Sequence, residues 1–361
     1  MKGKLWCTLL VVLAIFALSL PSALAQDEPF RVAAVAPSAT DDLAFSQSMY
    51  DALLAIQEEM GEDNFEFVFQ EGTFIVDDAA VALRDWAFSG DYDLIIAHGS
   101  QFGSILVDLA PEFPETSFAW GTDQDTFGLD NVYAYTAAAD QGGYINGAIA
   151  AGQSMSGVIG VVGPIEVGDA KLYVDGFVAG AEAMNPDVTV NVVYIQSFSD
   201  VPQATEAALT HVANGADVLT GTAQMVVGPI AVALENEIQW YGTQTSQAGL
   251  AEGSGVLFQI YNWEVVLADI IDHIQMGVLG GTAYTIDLAN GGITMELSEH
   301  SFGGDEMKQE EVWAQVEELI ESVTMMADDM DDMDDDMDDD MNDDMDDDMD
   351  DDDMDDNGDD G

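Results

Sequence analysis

Arg31–Met60, RVAAVAPSATDDLAFSQSMYDALLAIQEEM, decides how the rest of the chain is read. Arg31–Ala36 is short, apolar and carries enough small and β-branched residues to be a buried strand. Phe45, Met49, Leu53, Ile56 and Met60 then recur at helical spacing, so one stripe of an amphipathic helix faces a core. Between them, Pro37–Ala44 is a polar loop at the carboxyl end of the strand, the place where open α/β sheets bind ligands. That loop, with Phe45, is expected to form one jaw of a small-molecule pocket.

The same alternation continues outward. Strands are expected at Asn64–Phe69, Asp93–Ala97, Thr116–Trp120 and Asn131–Tyr135, with helices at Asp77–Ser89 and Gln101–Leu109. In Asp77–Ser89, Asp77 or Asp78 is the expected cap, and Ala80, Val81, Leu83, Ala87 and Phe88 the apolar positions. The pattern restarts with a small-residue helix, Asp140–Ser154. It runs through strands Val158–Val162, Val188–Ile195, Asp217–Thr220 and Gln239–Gly242, with helices Ala170–Met184, Gln203–Asn214 and Val226–Glu237 between them. Two successive halves predict an α/β protein of two doubly wound lobes, lobe one about 31–138 and lobe two about 139–255. Val256–Tyr261 and Ile286–Leu288, flanking the helix Glu264–Met276, are expected to return the chain to the first lobe, and Lys308–Val323 to form a last amphipathic helix.

Composition sets the compartment and excludes partners. Met1–Ala25 reads as a secretory signal, with Lys2 and Lys4 ahead of the apolar Leu9–Leu20 and Ala23-Leu24-Ala25 as the cleavage site. The only cysteine, Cys7, falls inside it, so no disulfide partner and no lipid anchor are expected. A secreted or periplasmic protein, outside the cytoplasmic membrane, follows. The formal net charge is −64. Asp328–Asp360 holds 23 aspartates, which still leaves 47 acids against Arg31, Arg84, Lys171 and Lys308 in the body of the mature chain. Nucleic acid and anionic membranes are repelled by such a surface, which suits a saline milieu. From Met325 to Gly361 the sequence is nearly all Asp and Met. The methionines keep a helical period, but dense like charge predicts disorder.

Catalytic chemistry finds little support. His98, His211, His273 and His300 are scattered, and neither a metal-binding histidine pair, a nucleophile elbow nor a phosphate loop is present. No enzyme activity, cofactor or metal is expected. A binding cleft has better grounds, because a two-lobed α/β protein lines it with strand-end loops from both halves. Here these are Pro37–Ser46, His98–Gln101 and Gly121–Gln124 in the first half, and Pro164–Asp169, Gln196–Asp200 and Gly221–Gln224 in the second. The crossover adds Tyr261, Asn262 and Trp263. Phe45 and Phe198, from opposite lobes, are placed to sandwich a planar ligand. A core-facing ring is the plain alternative for Phe45 and for Phe198. Asp41, Asp42 and Gln47 are candidates to hydrogen-bond the ligand, or to be solvated or capping residues.

The chain resembles the basic membrane lipoprotein family, the purine-nucleoside-receptor type of ABC-transporter substrate-binding protein, over roughly Arg31–Leu297. The resemblance rests on DDLAFSQSMYDAL (Asp41–Leu53), DQGGYINGAIAAGQSMSGVIGVVG (Asp140–Gly163), YVDGFVAGAEAMNPDVTVNVVYIQSFSD (Tyr173–Asp200) and NGADVLTG (Asn214–Gly221). It implies the type I periplasmic-binding-protein fold, a small metabolite such as a nucleoside or related heterocycle in an interlobe cleft, and an ABC permease as partner. In nucleoside-binding members the base is stacked between two aromatics, which fall on Phe45 and Phe198. Ser46 and Asn262 fall at or near positions where such members contact the ligand, and they join Asp42, Gln47, Gly221 and Trp263, expected at the ligand from their places in the strand-end loops and the crossover. Ser46 stands where the family has Asn, Thr243–Gln247 lacks the family's carboxylate, and a sugar-contacting lysine is replaced near Asn262. A sensory binding protein serving a membrane receptor, or less readily a secreted enzyme, are the alternative functions.

Overall fold

The computed structural model describes residues 28–343, with side chains described to Ala327. The expected signal and the tail from residue 344 onward lie outside the described residues. Two six-stranded sheets organise the chain. The first starts with β1 (Phe30–Val35), whose Val32–Val35 are fully buried on both faces, as a central parallel strand requires. On one side it pairs with β2 (Phe65–Gln70). On the other it pairs with β3 (Leu94–His98), followed outward by β4 (Ser117–Gly121), β5 (Val132–Ala137) and β11 (Ala283–Ile286), all parallel.

The second sheet repeats the order. β6 (Val158–Gly163) lies between β7 (Thr189–Tyr194) and β8 (Val218–Gly221), followed by β9 (Gln239–Gly242), β10 (Gly255–Tyr261) and the antiparallel edge strand β12 (Ile293–Leu297). In both sheets the first strand of the half sits inside, so the strand order reverses beside it. That reversal opens a crevice at the carboxyl ends of β1 and β3, and of β6 and β8.

The helices are α1 (Phe45–Met60), α2 (Val76–Ser89), α3 (Gly103–Leu109), α4 (Ala139–Gln153), α5 (Gly168–Met184), α6 (Val201–Ala213), α7 (Val227–Glu235), α8 (Glu264–Gln275) and α9 (Glu306–Asp343). In α1, Met49, Leu53 and Ile56 are buried and Phe45 and Met60 are half-buried against the same core, so the expected stripe is the buried face. Helices α4 and α5 pack almost backbone to backbone. A Cβ at Gly147 would strike the carbonyl of Phe177, and one at Gly180 the carbonyl of Tyr144. The small residues of α4 are therefore a packing requirement. The chain passes between the sheets after β5, after β10 and after β11, which gives the hinge its three strands.

Several expectations are corrected. Helix α2 buries Ala79, Ala82, Leu83 and Ala87, whereas Val81 is 62% and Phe88 82% exposed. The tight space over β1 and β3 admits alanines, and apolarity alone does not distinguish them from valine or phenylalanine. Asp77 and Asp78 lie in the first turn, where they complement the helix dipole, and Ile75 occupies the cap. Gly90 ends the helix in a left-handed conformation (φ 68°) that suits glycine. Val256–Tyr261 joins the second sheet. The strand that returns to the first sheet is Ala283–Ile286, three residues before the expected Ile286–Leu288. Ile293–Leu297 is an additional strand, with Ile293 and Met295 buried and their neighbours exposed, the alternation of an edge strand. The last helix runs past the expected Val323, to Asp343.

Candidate functional site

The loops at the carboxyl ends of the central strands of both sheets converge on one cavity between the lobes. From the first lobe it is lined by Pro37, Ala44, Phe45, Phe74, Gly99, Ser100, Gln101 and Thr122. The second contributes Asp169, Ala170, Phe198, Thr222, Ala223, Gln224, Thr243, Gln244 and Tyr261. The cavity has a volume of about 60 Å³, enough for a few waters. Three hydrogen bonds cross the cleft: Thr122 Oγ1 to Asp169 Oδ1 (3.2 Å), Gln224 Nε2 to Asp42 Oδ2 (3.2 Å) and Gln247 Nε2 to the Leu43 carbonyl (3.2 Å). The lobes thus stand nearly closed.

Phe45 opens α1, and its placement is built from both sides. Asp42 accepts hydrogen bonds from the N–H groups of Ala44 (2.9 Å), Ser46 (3.2 Å) and Gln47 (3.1 Å), which satisfies the free donors of the first turn. Behind the ring, His98 stacks at 3.9 Å between centroids and 10° between planes, and Trp263 meets it edge-on at 6.3 Å. His98 Nε2 lies 3.2 Å from the Phe45 carbonyl, which can only accept, so Nε2 carries the proton. Nδ1, 2.8 Å from the Tyr135 hydroxyl, therefore accepts from it. Burial pushes the His98 pKa down to about 3, against a smaller upward pull from the Phe45 carbonyl. The histidine is a neutral, fixed backing plate for Phe45.

Of the eight candidate residues, Phe45 and Phe198 line the cavity. Asp42 and Gln47 are turned to the α1 N-terminus, the latter accepting from the Leu43 N–H at 3.0 Å. Ser46 is fully buried and accepts from the Ser38 N–H at 3.0 Å, holding the loop to the helix. Gly221 lies at the end of β8, where a Cβ would come within 2.6 Å of the Val162 carbonyl, so its role is close strand packing. Asn262 donates to the Gly291 carbonyl (2.8 Å) and to Thr294 Oγ1 (3.2 Å), pinning the hinge crossing. Trp263 is fully buried behind Phe45 and donates to Ser48 Oγ at 2.9 Å. These six support the site from outside the cavity.

Residue-level reading missed Asp169, Gln224 and Thr122, although each falls in a strand-end loop already expected to face the cleft. Asp169 lies in the first turn of α5 and is deep in the protein, yet only half-buried, because the surface it keeps faces the cavity. Its carboxylate accepts from Thr122 and from the Tyr261 hydroxyl, each at 3.2 Å. Burial raises its pKa above the ordinary carboxylate value, and those hydrogen bonds oppose the rise. Gln224 Nε2 faces the Asp42 carboxylate, leaving its buried Oε1 with no hydrogen-bond partner among the described residues. No group of three or more metal-ligating side chains occurs among the described residues, and no described helix is long and apolar enough to cross a membrane.

Residues 30–324 match the family described as ABC transporter substrate-binding protein, PnrA-like. A purine-binding protein of Brucella abortus is 25% identical over 70% of this chain and 71% of its own length. A transcriptional activator protein of Bacillus subtilis is 24% identical over 73% and 81%. Among solved structures, an ABC-transporter solute-binding protein of Conexibacter woesei superposes with a TM-score of 0.66 at 23% identity, covering 81% of this chain and 97% of that one. The type I periplasmic-binding fold expected from the sequence is thereby shown.

Proposed function

Since the chain belongs to the PnrA-like family of ABC-transporter substrate-binding proteins, we propose that it captures a small aromatic heterocycle between its lobes, outside the cytoplasmic membrane, and presents it to an ABC permease. One observation carries this reading: Phe45 and Phe198, from opposite lobes, line one cavity. A planar ring between them gains stacking from both sides only when the lobes close, so its binding favours the closed state. The three bonds across the cleft supply the rest of that closure. The purine-binding relative from Brucella supports a purine or a purine-like ring as the cargo.

Native mass spectrometry of the protein, purified in high salt and released from its bound small molecules, tests the reading. A nitrogen-containing aromatic ring among the released molecules is expected; a sugar or an aliphatic acid as the sole cargo rejects it. A second reading, ligand sensing for a regulatory partner, draws on the Bacillus subtilis relative with a transcriptional role. Uptake of the labelled ligand by cells with and without the chain decides between them: transport requires the chain, sensing does not.

A further inference from the structure

The cavity is chemically one-sided. Among the described residues, the one charged side chain that lines it is Asp169, whose carboxyl faces it from the first turn of α5. An ionised carboxylate offers about four lone-pair sites; the hydroxyls of Thr122 and Tyr261 use one on each oxygen, and the backbone N–H groups of Asp169 and Ala170 at the start of α5 also favour its charged form. Gln224, on the same wall, holds a carbonyl with no donor among the described residues. No cationic side chain among the described residues balances them. Arg31 is paired with Glu66 (3.4 Å), Arg84 with Glu112 (2.9 Å), Lys171 with Asp175 and Lys308 with Glu311 (3.0 Å). All four pairs are on the surface, and none of these cations lines the cavity.

We infer that Asp169 is the specificity-determining residue of this cleft, admitting rings that present N–H donors or a positive charge toward it and rejecting anions and rings without an N–H. The inference rests on the proposed binding of an aromatic heterocycle and deepens it by naming the class: amino-substituted or protonatable nitrogen heterocycles. The physical cause is an asymmetry of cost. A ligand N–H aimed at Asp169 makes a charge-assisted hydrogen bond. A ligand acceptor or anion in the same place meets a carboxylate it cannot bond and leaves the Gln224 carbonyl unsatisfied. At low ionic strength the surface charge adds to this selection, since a negative body draws cations and repels anions. Discrimination of this kind, built on buried hydrogen-bonding groups, outperforms discrimination by shape alone.

The test is isothermal titration calorimetry on the full chain, freed of bound ligand by unfolding and refolding in high salt. The probes are adenine, guanine and their nucleosides, caffeine as a purine with no N–H, and orotate as an anionic pyrimidine. At least one amino-bearing ring should bind roughly 10- to 100-fold more tightly than caffeine, the range expected for one charge-assisted bond, and orotate should not bind. In Asp169→Asn, whose amide keeps the shape and adds a donor, that ratio should collapse toward one. If caffeine or orotate binds as tightly as the amino-bearing rings in the unaltered chain, or if Asp169→Asn keeps the ratio, the inference is overturned while ring binding stands. If no ring binds, the heterocycle reading itself falls. The comparison within the unaltered chain decides the matter even if the variant folds poorly.

Discussion

Replacing His98 by phenylalanine separates the two things this histidine does. The ring stacked 3.9 Å behind Phe45 is kept, and both ring nitrogens are lost. The Phe45 carbonyl still accepts from Ser48 Oγ at 2.8 Å, so its loss is small. The Tyr135 hydroxyl, fully buried, loses its acceptor, and an unsatisfied buried donor costs about 1–3 kcal/mol. At pH 7 the variant should therefore be less stable by about that amount. Acid reverses the order. The folded pKa of His98, about 3, lies below the unfolded value of 6.5, so its contribution is present above pH 6.5 and is lost as the pH falls toward 3. At 1.36 kcal/mol per pH unit, the 2.5 units between 6.5 and 4 remove about 3 kcal/mol from the parent protein and nothing from the variant. The shared carboxylates cancel in the comparison. Urea unfolding followed by tryptophan fluorescence, at pH 7 and pH 4 in constant high salt, should show the deficit vanishing or inverting at pH 4. A deficit that is the same at both pH values would refute a buried, neutral His98.

Two further outcomes follow from the packing and the charge. Gly147→Ala places a methyl against the Phe177 carbonyl, and because backbone cannot swing aside, it should cost about 1–3 kcal/mol or more and loosen α4 from α5; an unchanged urea midpoint would contradict the close helix approach. Lowering the ionic strength from 1 M to 0.01 M lengthens the Debye length from about 3 Å to about 30 Å, so the urea midpoint of this acidic chain should fall steadily with dilution of salt. A flat profile would show that the like charges of the body are already well separated.

The fold was largely legible because β-α alternation is a local property. Arg31–Ala36 and the Phe45 stripe each state their own structure, and the parallel pairing of buried strands follows from them. Sheet membership is not local. Val256–Tyr261 is equally apolar in either lobe, and only the closed topology assigns it to the second sheet. The site divides the same way. Strand-end loops announce a cleft, and Phe45 and Phe198 stand out in polar loops because aromatics there need a reason. Asp169 carries no such mark in a chain with 70 acids. What separates it is depth, its two donors and the cavity in front of it, all of which exist only once α5 is packed. Asp42 shows the converse, a carboxylate that looks ligand-directed in sequence and is consumed by three backbone N–H groups and Gln224.

The central claim is that a planar ring is held between the two lobes by Phe45 and Phe198. Calorimetric titration of the released ligand into the parent protein, Phe198→Ala and the double variant Phe45→Ala/Phe198→Ala tests it most directly. Loss of about 1–3 kcal/mol of binding energy is expected for the first substitution, as for one aromatic stack, and no measurable binding for the double variant. Unchanged affinity in a correctly folded double variant would contradict the account.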